Sequence, residues 1–248
     1  MNDIDPSVDY NYAIRFASQN GHTEIVQLLL KDPRVDPSVC YNSAIIWASC
    51  YGRTEIVKLL LEDPRVDPSA VDNEAIRFAS QNGHTKIVEL LLKDLRVDPS
   101  AKNNFSIKAA SENGHTEIVR VLLEDSRVDP SADYNFAIRW ASRNGNTKVV
   151  QLLLKDSRVY PSGNNNDAIC LASLSGHEDI VKILLEDPRV DPSDFNNFAI
   201  RWTSYYGHTK VVKLLLKDPR VDPSACGNES IRRASKNGHI KVVKLLLK

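Results

Sequence analysis

Apolar and polar residues follow one pattern along the chain, and the pattern repeats every 31 residues. Its first copy reads NYAIRFASQNGHTEIVQLLL (Asn11–Leu30), in which a glycine separates two apolar runs. A fixed period of this size indicates stacked repeats that each pack against their neighbours. We therefore predict a single domain over residues 1–248. Its eight repeats begin near residues 11, 42, 73, 104, 135, 166, 197 and 228.

The first apolar run of each repeat predicts a helix, here called helix A, over about residues 12–19 of the first copy. At about 100° per residue, Ile14, Ala17 and Ser18 share one side of this helix. Asn11 directly precedes the run, and we expect its side chain to cap the helix by accepting a backbone N–H. Gly21 is expected to end helix A in a left-handed conformation or tight turn.

The second apolar run predicts helix B, over about residues 23–30. Helix B is apolar over more than half of its circumference, which indicates burial between neighbouring repeats. Two prolines keep the connector KDPRVDPS (31–38) from becoming helical. We expect Val35 to pack beneath the repeats, and Asp32 and Arg34 to form local salt bridges and turn hydrogen bonds. The predicted fold is thus all-α, with eight 31-residue helix-turn-helix repeats and short proline-containing connectors.

Two helices around a glycine turn, followed by a proline-containing loop, resemble the ankyrin repeat. NGHTEIVQLLL (Asn20–Leu30) is similar to that family's turn and second helix, and AIRFAS (Ala13–Ser18) stands where the family has TPLHxAA. Arg15 replaces the histidine of that run. The common ankyrin repeat has about 33 residues, and each connector here is about two residues shorter than its counterpart in that form. The resemblance implies an ankyrin-like solenoid whose helix-A side lines a concave surface, with the β-hairpin finger blunted or missing. The DPRVDPS connectors also resemble the ankyrin proteins of giant DNA viruses of amoebae.

Composition narrows the possible functions. Lysine plus arginine and aspartate plus glutamate number 32 each, so no net charge draws the whole chain to nucleic acid or membrane. The start MNDIDPSV does not resemble a signal peptide, and no apolar run approaches the roughly 20 residues of a membrane span. We expect a cytoplasmic location, or the host cytoplasm or nucleus if the protein is viral. Reduced thiols are expected at the unpaired cysteines Cys40, Cys50, Cys170 and Cys226.

Reactive side chains recur at the repeat interval and do not converge on one place. All six histidines directly follow a repeat glycine, from His22 to His239. Neighbouring helices stand about 8–10 Å apart, whereas a zinc–nitrogen bond is about 2 Å, so these histidines are expected to fix the inter-helix turn instead of binding a metal. The serines equivalent to Ser18 are expected to be buried and bonded to a backbone carbonyl. An active site needs unlike groups around one point, and we therefore predict no enzyme and no cofactor.

The outward side of helix A differs among the repeats and is rich in aromatic residues. Clustered aromatic side chains on a face turned away from the core indicate a binding site for a protein. At the position of Phe16, the alternative is packing against the next repeat. The densest cluster lies in the seventh repeat. The candidate partner-binding residues are Tyr12, Phe16, Trp47, Tyr51, Phe78, Phe136, Trp140, Phe195, Phe198, Trp202, Tyr205 and Tyr206.

A second asymmetry lies on the polar side of helix B near the end of the chain. Residues 201–248 contain 11 Lys and Arg against 3 Asp and Glu, a charge of 11 − 3 = +8. Such a surface can face phosphate or an acidic partner, and the alternative is an ordinary solvated charged face. The residues of this possible anion-binding face are Lys210, Lys213, Lys217, Lys241, Lys244 and Lys248.

We therefore expect a non-enzymatic scaffold that binds a protein partner on the helix-A and loop side. One alternative is that the lysine face binds nucleic acid or an acidic surface, although nucleic acid is the less expected partner. Another is an adaptor that brings substrates to a separate enzyme such as a ubiquitin ligase. A monomer is favoured over an oligomer. Neither end has a polar capping repeat, so the ends are expected to be covered by a partner or to continue into a longer array.

Overall fold

The computed structural model describes residues 4–248, and these residues form eight helix-turn-helix pairs and no strand. They fall into two compact units, residues 4–110 with 117–129 and residues 111–116 with 130–248. The single domain proposed from the sequence stays a prediction. The helices are α1 (Val8–Asn20), α2 (Thr23–Leu30), α3 (Val39–Cys50), α4 (Thr54–Leu61), α5 (Ala70–Gln81), α6 (Thr85–Leu92), α7 (Ala101–Glu112), α8 (Thr116–Glu124), α9 (Ala132–Arg143), α10 (Thr147–Leu154), α11 (Gly163–Ser175), α12 (Glu178–Leu185), α13 (Asp194–Tyr206), α14 (Thr209–Leu215), α15 (Ala225–Lys236) and α16 (Ile240–Leu246).

Within each unit the helices form two layers. Odd-numbered helices, which correspond to helix A, pack on one another, as α1 does on α3 and α11 on α13. Even-numbered helices, which correspond to helix B, form the second layer, in which Ile56, Val57 and Leu60 of α4 are almost fully buried. The helix-A side predicted to be buried is also confirmed, since Ile14 and Ser18 have no exposed surface. The predicted all-α class of helix-turn-helix repeats is confirmed.

Each odd-numbered helix opens with a short left-handed turn that the sequence pattern did not predict. In α1 the residues Asp9, Tyr10 and Asn11 have φ angles of 52°, 56° and 55°. The backbone N–H of Asn11 donates to the carbonyl of Ser7 at 2.9 Å and closes this turn. Right-handed helix begins at the next residue, which agrees with the start predicted for helix A. Residues 4–248 contain no strand and hence no β-hairpin finger.

The repeat asparagine does not cap its own helix, so the predicted N-cap is wrong. Its side-chain oxygen accepts the backbone N–H of the following connector instead, and Asn11 Oδ1 lies 2.9 Å from the nitrogen of Asp36. Asparagine tolerates the left-handed conformation, which leaves its amide free to reach the next repeat. The same bond joins Asn42 to Asp67, Asn73 to Asp98, Asn104 to Asp129, Asn135 to Tyr160, Asn166 to Asp191, and Asn197 to Asp222.

The connectors are held by the charged residues that the sequence singled out. The guanidinium of Arg65 contacts both carboxylate oxygens of Asp63, at 2.9 and 2.6 Å. Its third nitrogen donates to the carbonyl of Val35 in the preceding connector at 2.7 Å. Val35 itself is 1% exposed. The predicted local salt bridges and the buried valine are both confirmed.

The residue after the repeat glycine joins neighbouring repeats. His84 Nε2 donates to the carbonyl of Cys50, one repeat earlier, at 2.9 Å. The same imidazole covers Gly52, where a Cβ atom would come within 2.7 Å of the ring and where φ is +74°. Glycine is thus required there both by its backbone conformation and by the close approach of the ring. Arg53 and Asn146 stand in the histidine position of their repeats and make equivalent bonds.

Seven of the eight serines at the Ser18 position are buried, whereas Ser235 in the last repeat is exposed, and the carbonyl partner expected for the buried ones is wrong. Within residues 4–248 the Ser18 hydroxyl oxygen is enclosed by the protein and has no hydrogen-bond partner. The same holds for Ser49, Ser80, Ser111, Ser142, Ser173 and Ser204.

Candidate partner-binding surface

In the first compact unit, the predicted aromatic residues form two groups on the odd-numbered helices. Tyr12 and Phe16 stack on α1 with ring centroids 4.0 Å apart. On α3, Trp47 lies 6.0 Å from Tyr51 and 6.4 Å from Phe78 of α5. Trp47 remains 39% exposed and Tyr12 50% exposed. These side chains therefore rest on one another and still present ring surface to solvent.

The second unit contains a smaller pair and a larger cluster. Phe136 and Trp140 stack on α9 at 5.3 Å, and the guanidinium of Arg143 lies 4.6 Å from the indole centroid. Both rings are half-buried. This pair therefore presents less ring surface to solvent than Tyr12 and Trp47 do.

The larger cluster runs the length of α13, and we call it the repeat-7 aromatic strip: Phe195, Phe198, Trp202, Tyr205 and Tyr206. Phe195 stands in the left-handed turn and contacts Phe198 at 5.6 Å, which contacts Trp202 at 5.6 Å. Trp202 then contacts both tyrosines, at 5.6 and 6.3 Å. The strip is therefore continuous from the turn to the end of the helix.

Helical spacing explains why the strip faces outward. Residues 198, 202, 205 and 206 lie on one side of α13 at intervals of three and four. The opposite side is fully buried and contains Ile200 and Ser204. Packing of α13 against its neighbours is thus carried by other residues, although Phe198 and Trp202 are themselves half-buried.

Two arginines and one glutamate border the strip on the side of the eighth repeat. The Arg233 guanidinium lies 4.1 Å from the Trp202 centroid, within the range of a cation–π contact. Arg233 also pairs with Glu229 at 2.5 Å, and Arg201 pairs with the other oxygen of that carboxylate. These bonds, led by that from Arg201, hold the pKa of Glu229 below its usual value. The border is therefore fixed in position and carries one excess positive charge.

The sequence analysis did not predict this border or the left-handed turns, although Tyr134 belongs to the aromatic residues of the fifth repeat. Tyr10, Tyr41 and Tyr134 occupy the middle of three such turns and are 78%, 81% and 75% exposed. A signal for the turns exists in the sequence, since asparagine favours the left-handed conformation and the sixth repeat has three in a row at residues 164–166.

The lysines of the second candidate surface are all exposed and lie on or just after α14 and α16. Lys210 pairs with Glu178 at 3.0 Å while its side chain stays 82% exposed. Such an exposed pair contributes little to stability. The residues of this lysine surface are Lys210, Lys213, Lys217, Lys241, Lys244 and Lys248.

Over residues 4–248, no three histidine, cysteine, aspartate or glutamate side chains are grouped so that they could hold a metal ion. No helix in the same range is long and apolar enough to cross a membrane.

Comparison with known families assigns the repeats. The family model described as Ankyrin repeats (3 copies) matches residues 11–103, 66–134, 107–196 and 169–248. A search of curated proteins found no match.

Proposed function

Because the chain belongs to the ankyrin repeat family, whose members are generally protein–protein interaction modules, we propose that it is a non-enzymatic scaffold for a protein partner. The partner would contact the outward side of the odd-numbered helices and the left-handed turns. The repeat-7 aromatic strip would provide the main contact in the second unit. We propose the cytoplasm as the cellular compartment.

The strip carries this proposal because three of its five rings are exposed and all five contact one another. Tyr205 and Tyr206 are 37% and 46% exposed, and their rings contact each other at 4.9 Å. Tryptophan and tyrosine dominate the energetics of protein interfaces because they bury a large area. Rings that rest on one another lose little rotational freedom when a partner binds. An ordered aromatic surface of this kind fits a binding role better than a packing role.

The arrangement of reactive groups also favours binding over catalysis. The buried serine hydroxyls are closed to solvent, as Ser18 and Ser142 show. In four histidines the ring Nε2 donates a hydrogen bond to a backbone carbonyl of the preceding repeat; these are His84, His177, His208 and His239. These residues serve the stacking of repeats.

Quantitative affinity capture with three matched proteins tests the proposal. The intact chain is compared with a Trp202→Ala/Tyr206→Ala variant and with Tyr160→Ala as the control. Tyr160 is 60% exposed but stands in a connector outside the strip. We expect the double variant to lose the specific partner while the control retains it, and far-UV circular dichroism to show equal helix content in all three.

Equal capture by the double variant and the intact chain would reject the strip as the contact. Loss of helix content in the double variant would show that these rings belong to the core, which would also reject it. Removing two central interface aromatics commonly weakens binding by about 2 kcal/mol or more.

The lysine surface supports a second candidate function, binding to an anionic partner. Six exposed lysines occupy one part of the second unit, and Glu178 is paired with one of them. Replacing Lys213, Lys241 and Lys244 by glutamine should abolish binding to a short phosphate-rich oligonucleotide. In the intact chain this binding should weaken steeply between about 50 and 200 mM salt. Binding that is insensitive to salt would reject this candidate.

An adaptor role is compatible with the main proposal. In that case the captured partner would be a substrate or a subunit of a separate enzyme, such as a ubiquitin ligase.

A further inference from the structure

A cavity of about 180 Å³ opens beside the repeat-7 aromatic strip, between α11 and α13 of the second unit. It combines aromatic walls with amide and carboxylate groups. Its lining consists of Asn164, Asn165, Asp167, Cys170, Phe195 and Phe198. We call it the Cys170 cavity.

Comparison of the repeats explains why this space is empty. The residue equivalent to Cys170 is arginine in five of the eight repeats, at Arg15, Arg77, Arg139, Arg201 and Arg232. Cysteine is much shorter than arginine and cannot fill the volume that the guanidinium group would take. Cys170 is itself 5% exposed and lies at the base of the space.

The arginines of the other repeats show what such a group binds on its own repeat. Arg77 donates to the backbone carbonyls of Val71 and Asp72, both at 3.0 Å. These carbonyls belong to the left-handed turn at the start of α5. Arg15 bonds in the same way to the carbonyl of Asp9 at 3.1 Å. The equivalent turn residues of the sixth repeat are Asn164 and Asn165, which line the Cys170 cavity.

These arginines also reach forward to one position of the next repeat. Arg77 places its guanidinium carbon 5.5 Å from the ring centroid of Phe105. Arg139 donates to Asp167 at 2.6 Å. The residue at that forward position beyond Cys170 is Phe198, whose ring forms a wall of the cavity. The cavity thus retains both the ring and the turn carbonyls that a guanidinium group contacts elsewhere in this chain.

The charges around the cavity suit a cation. Burial, together with the negative charges of Asp167 and Asp194, raises the pKa of the Cys170 thiol to about 12, so the thiol stays neutral. Asp167 bonds to Arg139 through Oδ2. The positive Arg201 nearby is already held by Glu229. None of the six lining residues carries a positive charge, whereas Asp167 carries a negative one.

We propose that the Cys170 cavity binds the guanidinium group of an arginine side chain of the partner. This group would stack on Phe198, donate to the turn carbonyls of Asn164 and Asn165, and face Asp167. The partner would thereby supply the group that other repeats supply from within the chain. The inference rests on the proposed function for its biological meaning, and it assigns the partner an arginine next to the residues that contact the strip.

The test uses a small probe and needs no identified partner. Nuclear magnetic resonance follows the amide signals of Asn165, Cys170 and Phe198 while N-acetyl-arginine amide is added to the intact chain. N-acetyl-citrulline amide, which has nearly the same shape and no charge, is the matched control. We expect saturable shifts of these signals with the arginine probe and none with the citrulline probe. Equal responses to the two probes would overturn the proposal.

Three variants separate occupancy of the cavity from general effects. Cys170→Arg fills the space from within and should abolish the shifts while the melting temperature stays equal or rises. Cys170→Ser leaves the space open and should retain them. Phe198→Leu keeps an apolar wall without the aromatic face and should weaken probe binding roughly tenfold. Shifts that persist in Cys170→Arg, or a Cys170→Arg protein that unfolds, would contradict a guanidinium site.

The probe titration and the capture experiment test the cavity and the strip independently of each other. Probe binding without loss of partner in the Trp202→Ala/Tyr206→Ala variant would leave the cavity standing and reject the strip. Loss of the partner without probe binding would support the strip and overturn the cavity proposal.

Discussion

At the scale of single residues, the repeat asparagine performs two tasks at once. Asn73 adopts a φ of 61° at the end of a left-handed turn and is 8% exposed. Its side-chain oxygen accepts the N–H of Asp98 in the next connector at 2.7 Å. A residue that tolerates the left-handed conformation and carries an acceptor is needed, and asparagine offers both. Asparagine before an apolar run is also typical of a helix N-cap, which is why the sequence pattern predicted a cap at this position.

Replacing Asn73 should therefore destabilise the protein in two separable parts. In Asn73→Ala, the left-handed backbone lowers the free energy of unfolding by about 1–2 kcal/mol. The backbone N–H of Asp98, left without its acceptor, lowers it by about 1–3 kcal/mol more. Asn73→Gly removes the bond but accepts the backbone conformation, so it should lose less. Urea unfolding of both variants measures the two losses. Equal stability of the alanine variant and the intact chain would contradict this role.

At the scale of elements, the connector is a rigid unit held by its own charges. Asp187 bonds to the guanidinium of Arg189 and to its backbone N–H. The guanidinium also donates to the carbonyl of Val159 in the preceding connector at 3.0 Å. One ion pair thus fixes the loop and places a donor on the neighbouring repeat. The sequence predicted the pair, since aspartate and arginine stand at these positions in all seven connectors, but it did not identify the carbonyl of the preceding connector as the second partner of the arginine.

The connector pairs should make stability depend on acidity. Hydrogen bonds from the arginine lower the pKa of the aspartate in each connector, to about 2 for Asp32 and also below the usual value for Asp187. A carboxyl whose pKa is lowered by folding stabilises the protein above its unfolded pKa of about 4. That contribution is lost as the pH falls through the folded value. The melting temperature should thus fall between about pH 4 and pH 2.

A single variant checks the assignment of this acid transition. Asp187→Asn removes one of the pairs, so it should lower the melting temperature at neutral pH, and this loss should shrink in strong acid as the carboxyl of the intact chain becomes protonated. An equal loss at neutral pH and in strong acid would show that the carboxylate charge is not the cause.

The two helices of each repeat were predictable from hydrophobic spacing, and the left-handed turn was not. Spacing reports which side of a helix is buried, as for Ile14 and Ser18. It contains no information on the sign of φ in the three residues that precede the helix. The first two of those residues vary from repeat to repeat, as Asp9 and Phe195 illustrate, and only the third, the repeat asparagine, carries a residue-type signal for the turn.

At the scale of the whole molecule, the sequence predicted only those parts of the candidate surface that lie on a single helix. The outward direction of the strip follows from spacing along α13. The contact of Arg233 with Trp202 and the Cys170 cavity each combine side chains of two neighbouring repeats. Such combinations depend on which side chains of adjacent repeats touch. The repeat period predicts which repeats are adjacent, but it does not predict which side chains are in contact.

The central claim is that a protein partner covers the repeat-7 aromatic strip, and hydroxyl-radical footprinting of the captured complex tests it most directly. Oxidation of each aromatic side chain is measured by mass spectrometry in the free protein and in the complex. We predict that Trp202, Tyr205 and Tyr206 become protected, whereas Tyr160, exposed in its connector, is oxidised equally in both. Unchanged oxidation of the three strip residues in a complex that has formed would contradict the account.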